Sequence, residues 1–140
     1  MEHKILSREN IRTTAIRLKL LRILVNSEYA LTFRDLNDRL EQQFDRVTIY
    51  RTLNTFLNHD IIHRIVDGAE SKKYAMSDII SEGYKGHSKS HMHFKCERCN
   101  KVYCLPIPEN ESLDLPDGFE YRSCTTMVKG ICKRCKFGNT

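Results

Sequence analysis

The chain has 140 residues, 40% of them hydrophobic and 29% charged, with a formal net charge of +5 at pH 7, which bounds it to one or two small domains with a modest core. No run of about 18 apolar residues occurs, which excludes a membrane-spanning helix, and Met1-Glu2-His3-Lys4-Ile5-Leu6 lacks the basic and apolar blocks of a secretory signal, so the expected compartment is the cytoplasm. The positive charge suits an anionic partner, but it forms no basic tail, so any nucleic-acid site has to be built by folding.

The spacing of Ile16, Leu20, Leu21 and Leu24 predicts an amphipathic helix over 11–25. A second helix follows Thr32 as N-cap, with Asp35 as its capping partner and Phe33, Leu36 and Leu40 on one face, ending near Gln43. A third starts at Asp45 and turns Ile49, Leu53, Phe56 and Leu57 inward. Two β-branched segments, Ile61 to Val66 and Lys72 to Met76, flank the turn signal Asp67-Gly68. Three helices and a hairpin wing define a winged helix-turn-helix domain over 1–77. Residues 78–90, rich in Ser and Gly, read as a linker. In 91–140 the stretches His91 to Lys95, Lys101 to Leu105 and Phe119 to Ile131 are strand-like, and Pro106, Pro108 and Pro116 argue against a long helix between the last two. The expected class is α+β, with the winged domain followed by a small, β-rich second domain.

Six cysteines in a reducing compartment point to metal ligation or redox chemistry before disulfides. Cys96-x2-Cys99 and Cys132-x2-Cys135 are two short loops, each able to turn a pair of thiolates toward one tetrahedral ion. They predict a closed tetrathiolate zinc site that staples the C-terminal strands and contributes folding free energy. Four protein ligands leave no position for a reacting water. A zinc deaminase needs Pro-Cys-x-x-Cys, whereas Lys95 precedes Cys96. No nucleophile and base share a supportable spacing, so an enzyme is not expected.

Around the apolar stripe of the third helix lie Arg46, Thr48, Tyr50, Arg51, Thr52, Asn54 and Thr55, groups that reach phosphates and base edges. A helix after a short turn and before a wing is the arrangement that enters the major groove of double-stranded DNA.

Asp45-Arg-Val-Thr-Ile-Tyr-Arg-Thr-Leu53, Ile61-Ile-His-Arg-Ile65, His91-Met-His-Phe-Lys-Cys-Glu-Arg-Cys99 and Gly130-Ile-Cys-Lys-Arg-Cys135 together resemble the ferric uptake regulator (Fur) superfamily of metal-responsive transcriptional repressors. Arg17-Leu18-Lys19 resembles that family's Pro-Arg-Leu-Lys stretch, with Ile16 in place of the proline. The resemblance implies a homodimeric repressor with a C-terminal dimerisation domain, Tyr50 contacting bases, Arg51 contacting DNA nearby and Arg12 approaching a minor groove. Ala30 and Ala75 stand where relatives often carry a histidine and a carboxylate of the sensory site, and Asp60 where many have glycine. These departures argue against the iron branch, and the resemblance is closer to a zinc-sensing, Zur-like branch than to the iron or peroxide branches. The prolines after Leu105 replace a helix that many members use in dimerisation. Phe119, Tyr121, Met127 and Val128 are therefore the candidate dimer contacts.

A regulatory metal site follows from strand geometry. His91 and His93, two apart, project from one face of a strand. If the Cys96 loop closes a hairpin that pairs Lys95 with Val102, His93 lies opposite Cys104. Relatives tend to place a carboxylate at the position of Cys104, and a thiolate with imidazoles favours zinc over ferrous iron as the second divalent metal. His87 is the first candidate for the fourth ligand, with Asp78, Glu82 and Cys124 as alternatives. The expected function is a zinc-sensing repressor acting as a homodimer on a palindromic operator. The alternative is a winged-helix DNA-binding or adaptor protein whose zinc is purely structural.

Overall fold

The computed structural model describes residues 1–77, 91–106, 114–120 and 125–138, which fall into two compact units, Met1–Tyr84 and Lys85–Thr140. The first holds α1 (Glu2–Arg8), α2 (Ala15–Val25), β1 (Leu31–Thr32), α3 (Phe33–Arg39), α4 (Arg46–Asn58), β2 (Ile62–Ile65) and β3 (Lys73–Met76). The second holds β4 (His91–Cys96), β5 (Val102–Pro106), β6 (Thr125–Gly130) and the short α5 (Lys133–Lys136). The architecture is α+β, and among the described residues no helix is long and apolar enough to cross a membrane.

The first helix of the sequence reading is shorter than expected. Thr14 caps α2 by accepting the Arg17 N–H at 3.4 Å, and residues 11–14 run non-helically into it, with the Arg17 guanidinium donating to the Arg12 carbonyl at 2.7 Å. The separate helix α1 was not expected; it buries Ile5 and Leu6. The second predicted helix, α3, has the reciprocal capping box: the Asp35 N–H donates to Thr32 Oγ1 at 3.1 Å and the Thr32 N–H to Asp35 Oδ2 at 3.0 Å. It stops at Arg39 and not near Gln43, because Glu41 and Gln42 adopt left-handed φ angles of 57° and 56° that cannot continue a helix. Asp45 caps α4 by accepting the Thr48 N–H at 3.0 Å, and this hydrogen bonding holds its carboxyl below the usual carboxylate range.

Leu20 and Leu21 of α2, Leu36 of α3, and Ile49, Leu53 and Phe56 of α4 are fully buried in one core with Leu6, Leu31 and Ile61. The wing is a three-stranded antiparallel sheet in the order β1-β3-β2, with Ile65 paired to Lys73 and Leu31 to Tyr74. β1 was not expected, and both wing strands are shorter than the sequence suggests. Residues 66–72 form the intervening loop. Inside it Asp67 is buried against Lys73, with Nζ to Oδ2 at 2.6 Å, and its other oxygen accepts the Ala69 N–H at 3.1 Å.

In the second unit β4 lies between β5, antiparallel, and β6, parallel. Of the expected strand over Phe119 to Ile131, the described residues form strand at Thr125–Gly130. Phe119 instead closes a turn onto the Pro116 carbonyl with Gly118 at φ 91°, and its side chain is 71% exposed. Met127 and Val128 are half-buried. Tyr121, and the question of a helix across 107–113, lie outside the described residues.

Candidate functional site

The exposed side of α4 carries the predicted reading residues. Arg46 and Arg51 are exposed, Tyr50 is 37% exposed and Thr48 is half-buried near the helix start. Arg12 is exposed in the segment before α2. Thr52, expected on the same free surface, is buried, and its hydroxyl donates to the Thr48 carbonyl one turn back at 2.9 Å. One participant was not expected. Phe33, the first residue of α3, stacks on Tyr50 with ring centroids 4.5 Å apart and planes 11° from parallel. The Arg46 guanidinium lies 5.1 Å from the Phe33 ring centre and 5.9 Å from that of Tyr50. The sequence signal was present, an aromatic residue at the first position after the N-cap Thr32, but helical spacing only groups it on one face with Leu36 and Leu40.

The four cysteines of the two loops converge, with all four sulfurs within 4.8 Å of one another. The parallel pairing explains this: Cys96 ends β4 opposite Gly130, which ends β6, so both loops leave the sheet at one end. Asn100, at φ 63°, turns the first loop back, with its N–H on the Cys96 carbonyl at 2.9 Å. The second loop opens α5 with Cys132 as N-cap residue. Cys99 Sγ and Cys132 Sγ are 3.8 Å apart, the edge of about 3.8 Å that a tetrahedron with zinc–sulfur bonds of about 2.3 Å requires. The N–H groups of Cys99 and Cys132 donate to Cys96 Sγ at 3.5 and 3.4 Å, and the Arg98 guanidinium donates to the Cys135 carbonyl at 3.1 Å.

Such N–H donors fix ligand orientation and stabilise negative sulfur. Burial opposes the Cys96 thiolate, but the N–H groups of Cys132, Cys99 and Arg98 outweigh it and lower its pKa to about 6. At Cys135 burial, followed by the neighbouring sulfurs, raises the thiol to about 12. Backbone N–H donors thus favour the thiolate at Cys96 while burial and the neighbouring sulfurs oppose it at Cys135, and a divalent ion held among the four would favour the thiolate at each. Tyr103, buried beside Cys132, is a second residue the sequence reading missed; burial and then Cys132 hold its phenol well above the usual range. The donor set fits a structural zinc ion.

Further along β4, Lys95 pairs with Val102 and His93 with Cys104, the register expected from a hairpin closed by the first loop. His93 is buried, Cys104 is half-buried, and their ligand atoms lie within 4.8 Å of each other. His91 opens the same strand, its Cα paired with Pro106 on one side and Thr125 on the other. His87, Asp78, Glu82 and Cys124 lie outside the described residues.

A model described as the ferric uptake regulator family matches residues 8–115. The zinc uptake regulation protein of Escherichia coli (strain K12) is 27% identical over 139 residues, covering 94% of this chain and 77% of that protein. The peroxide-responsive repressor PerR of Staphylococcus epidermidis is 22% identical over 138 residues, covering 94% of this chain and 85% of that protein. A solved zinc uptake regulator complexed with zinc and DNA shares the fold at a TM-score of 0.65 and 23% identity, across 97% of this chain and 91% of that one.

Proposed function

The chain belongs to the ferric uptake regulator family, and from that premise we propose that it is a zinc-sensing transcriptional repressor that binds a palindromic operator as a homodimer. The observation that carries the sensing half is the β4–β5 register, which pairs His93 with Cys104 on a strand that His91 opens. This donor group is distinct from the four-cysteine cluster at the far end of β4. Imidazole with thiolate is a softer set than imidazole with carboxylate, and softness favours zinc over ferrous iron. The similar regulators for which zinc is named, one of them solved with zinc and DNA, support the same branch.

In this reading Cys96, Cys99, Cys132 and Cys135 hold a zinc ion that supplies cross-linking and no chemistry. His91, His93 and Cys104, completed by His87, form the regulatory set, with Asp78, Glu82 and Cys124 as the other possible donors. His87 belongs to 78–90, the segment that leads from the reading unit to the dimerisation unit. Closing the set ties that segment to the sheet, and regulation follows from a higher metal affinity of the DNA-competent arrangement. On the DNA side α4 enters the major groove with Tyr50 toward bases, Thr48 and Arg46 at the helix start, Arg51 on nearby backbone and Arg12 toward a minor groove.

The test is a zinc titration of binding to a duplex selected by the zinc-loaded protein from a random-sequence library. Cys104→Ala and His93→Ala are expected to abolish the zinc-dependent gain in affinity while one tightly held zinc per chain remains. Full zinc responsiveness in Cys104→Ala, or activation by ferrous iron where zinc gives none, refutes the assignment.

A further inference from the structure

Phe33 packs against the hydrophobic core at its edge, with part of its ring left outside it. It is half-buried, and its ring lies flat on Tyr50 at 4.5 Å while the Arg46 guanidinium lies beside the stack, 5.1 and 5.9 Å from the two ring centres. Arg46 and Tyr50 are four residues apart on α4, one above the other on the same face. Phe33 reaches them from α3, and its backbone is held by the reciprocal bonds between Thr32 and Asp35. A rigid helix start thus carries an aromatic plate against two side chains of the reading helix.

We infer that Phe33 is a positioning residue for sequence readout: its ring locks Tyr50 and Arg46 into a single prepared unit on α4, and it does so without contacting DNA itself. The inference rests on the reading of α4 as the DNA-reading helix. The stack stands at the wall of a hollow of about 320 Å³ bordered on the wing side by Glu70, Ser71, Lys72 and Tyr74. Without the plate the Tyr50 ring has this space to turn into, and Arg46 loses the nearer of the two rings it lies against. Ordering both side chains then falls on the binding step. The loss weighs on discrimination more than on phosphate attraction, because no charge is removed and counterion release is unchanged.

The experiment compares zinc-loaded wild type with Phe33→Ala, Phe33→Leu and Phe33→Tyr. Each binds the duplex that wild type selects from a random library and a shuffled duplex of the same composition, over a range of salt. Phe33→Ala is expected to lower the ratio of the two affinities about three- to tenfold, with the slope of log affinity against log salt unchanged. Phe33→Leu keeps apolar bulk but no flat face and is expected to fall with Phe33→Ala, whereas Phe33→Tyr retains the wild-type ratio. Without DNA, the ring signals of Tyr50 in tyrosine-labelled protein, assigned with Tyr50→Phe, are expected to lose their ring-current shift in Phe33→Ala and Phe33→Leu. Wild-type discrimination in Phe33→Leu, or Tyr50 signals unmoved in Phe33→Ala, overturns the role of Phe33 and leaves the DNA reading standing. A wild-type protein that enriches no sequence overturns the DNA reading, and this inference with it.

Discussion

Replacing Asp67 by alanine tests how the wing is held. Its carboxylate is 1% exposed and sits 2.6 Å from the Lys73 ammonium, itself 10% exposed. With an effective dielectric of about 20 the attraction at that distance is about 6 kcal/mol. Withdrawing both ions from water costs several kcal/mol each, so the intact pair is close to neutral in net stability. Removing one partner is different. Asp67→Ala leaves the ammonium buried without its carboxylate and also removes the acceptor of the Ala69 N–H, for an expected loss of about 3 to 5 kcal/mol. In a unit of this size that lowers the melting temperature by about 10 °C or more. Far-UV circular dichroism of the zinc-loaded protein reads it directly, because among the described residues α1 to α4 all belong to the first unit and the second contributes only the 4 residues of α5. Asp67→Leu combined with Lys73→Met is expected to return to within about 1 kcal/mol of wild type. A shift below about 4 °C in the alanine variant, equivalent to about 1 kcal/mol, refutes the reasoning.

Three further outcomes follow from other contacts. Cys99→Ser breaks a four-sulfur cluster and is expected to lose its zinc along with the dispersed resonances of β4 to β6, as read by metal analysis and NMR; undiminished zinc content contradicts the structural site. Thr32→Ala removes one side of the α3 capping box and is expected to cost about 1 kcal/mol in urea unfolding, with a drop in operator discrimination because Phe33 begins at that cap. Gly130→Ala sets a methyl 3.2 Å from Phe94 Cζ at the strand end that carries both cysteine loops; overpacking of about 1 to 3 kcal/mol is expected, recovered largely by adding Phe94→Leu, and equal stability of the single and double variants contradicts the clash.

What was readable in the sequence is what short-range covalent geometry pins. The Cys96-x2-Cys99 loop can turn back only within a few residues, which makes a hairpin pairing Lys95 with Val102 a natural assumption, and on that assumption His93 falls opposite Cys104, the register observed. The caps at Thr32 and Asp45 were legible for the same reason, since each bond spans three residues. The misses are those whose partner is remote or whose pattern is ambiguous. β1 is two residues long and exists because Tyr74 and Lys73 pair with it across the fold, which no local periodicity encodes. The spacing of Ile16, Leu20, Leu21 and Leu24 identifies α2 but does not mark its start, and Ile11 is buried from a non-helical approach. Phe33 is the informative case. With Leu36 and Leu40 it completes an i, i+3, i+7 stripe, and the stripe is real, but Leu36 and Leu40 are buried in the core whereas Phe33 only packs against its edge. A period of 3.6 states which side chains share a face and is silent on where that face ends. At the end of α3 nearest α4 the same apolar character that elsewhere fills a core supports the reading residues, and only the position of Tyr50 in space separates the two uses.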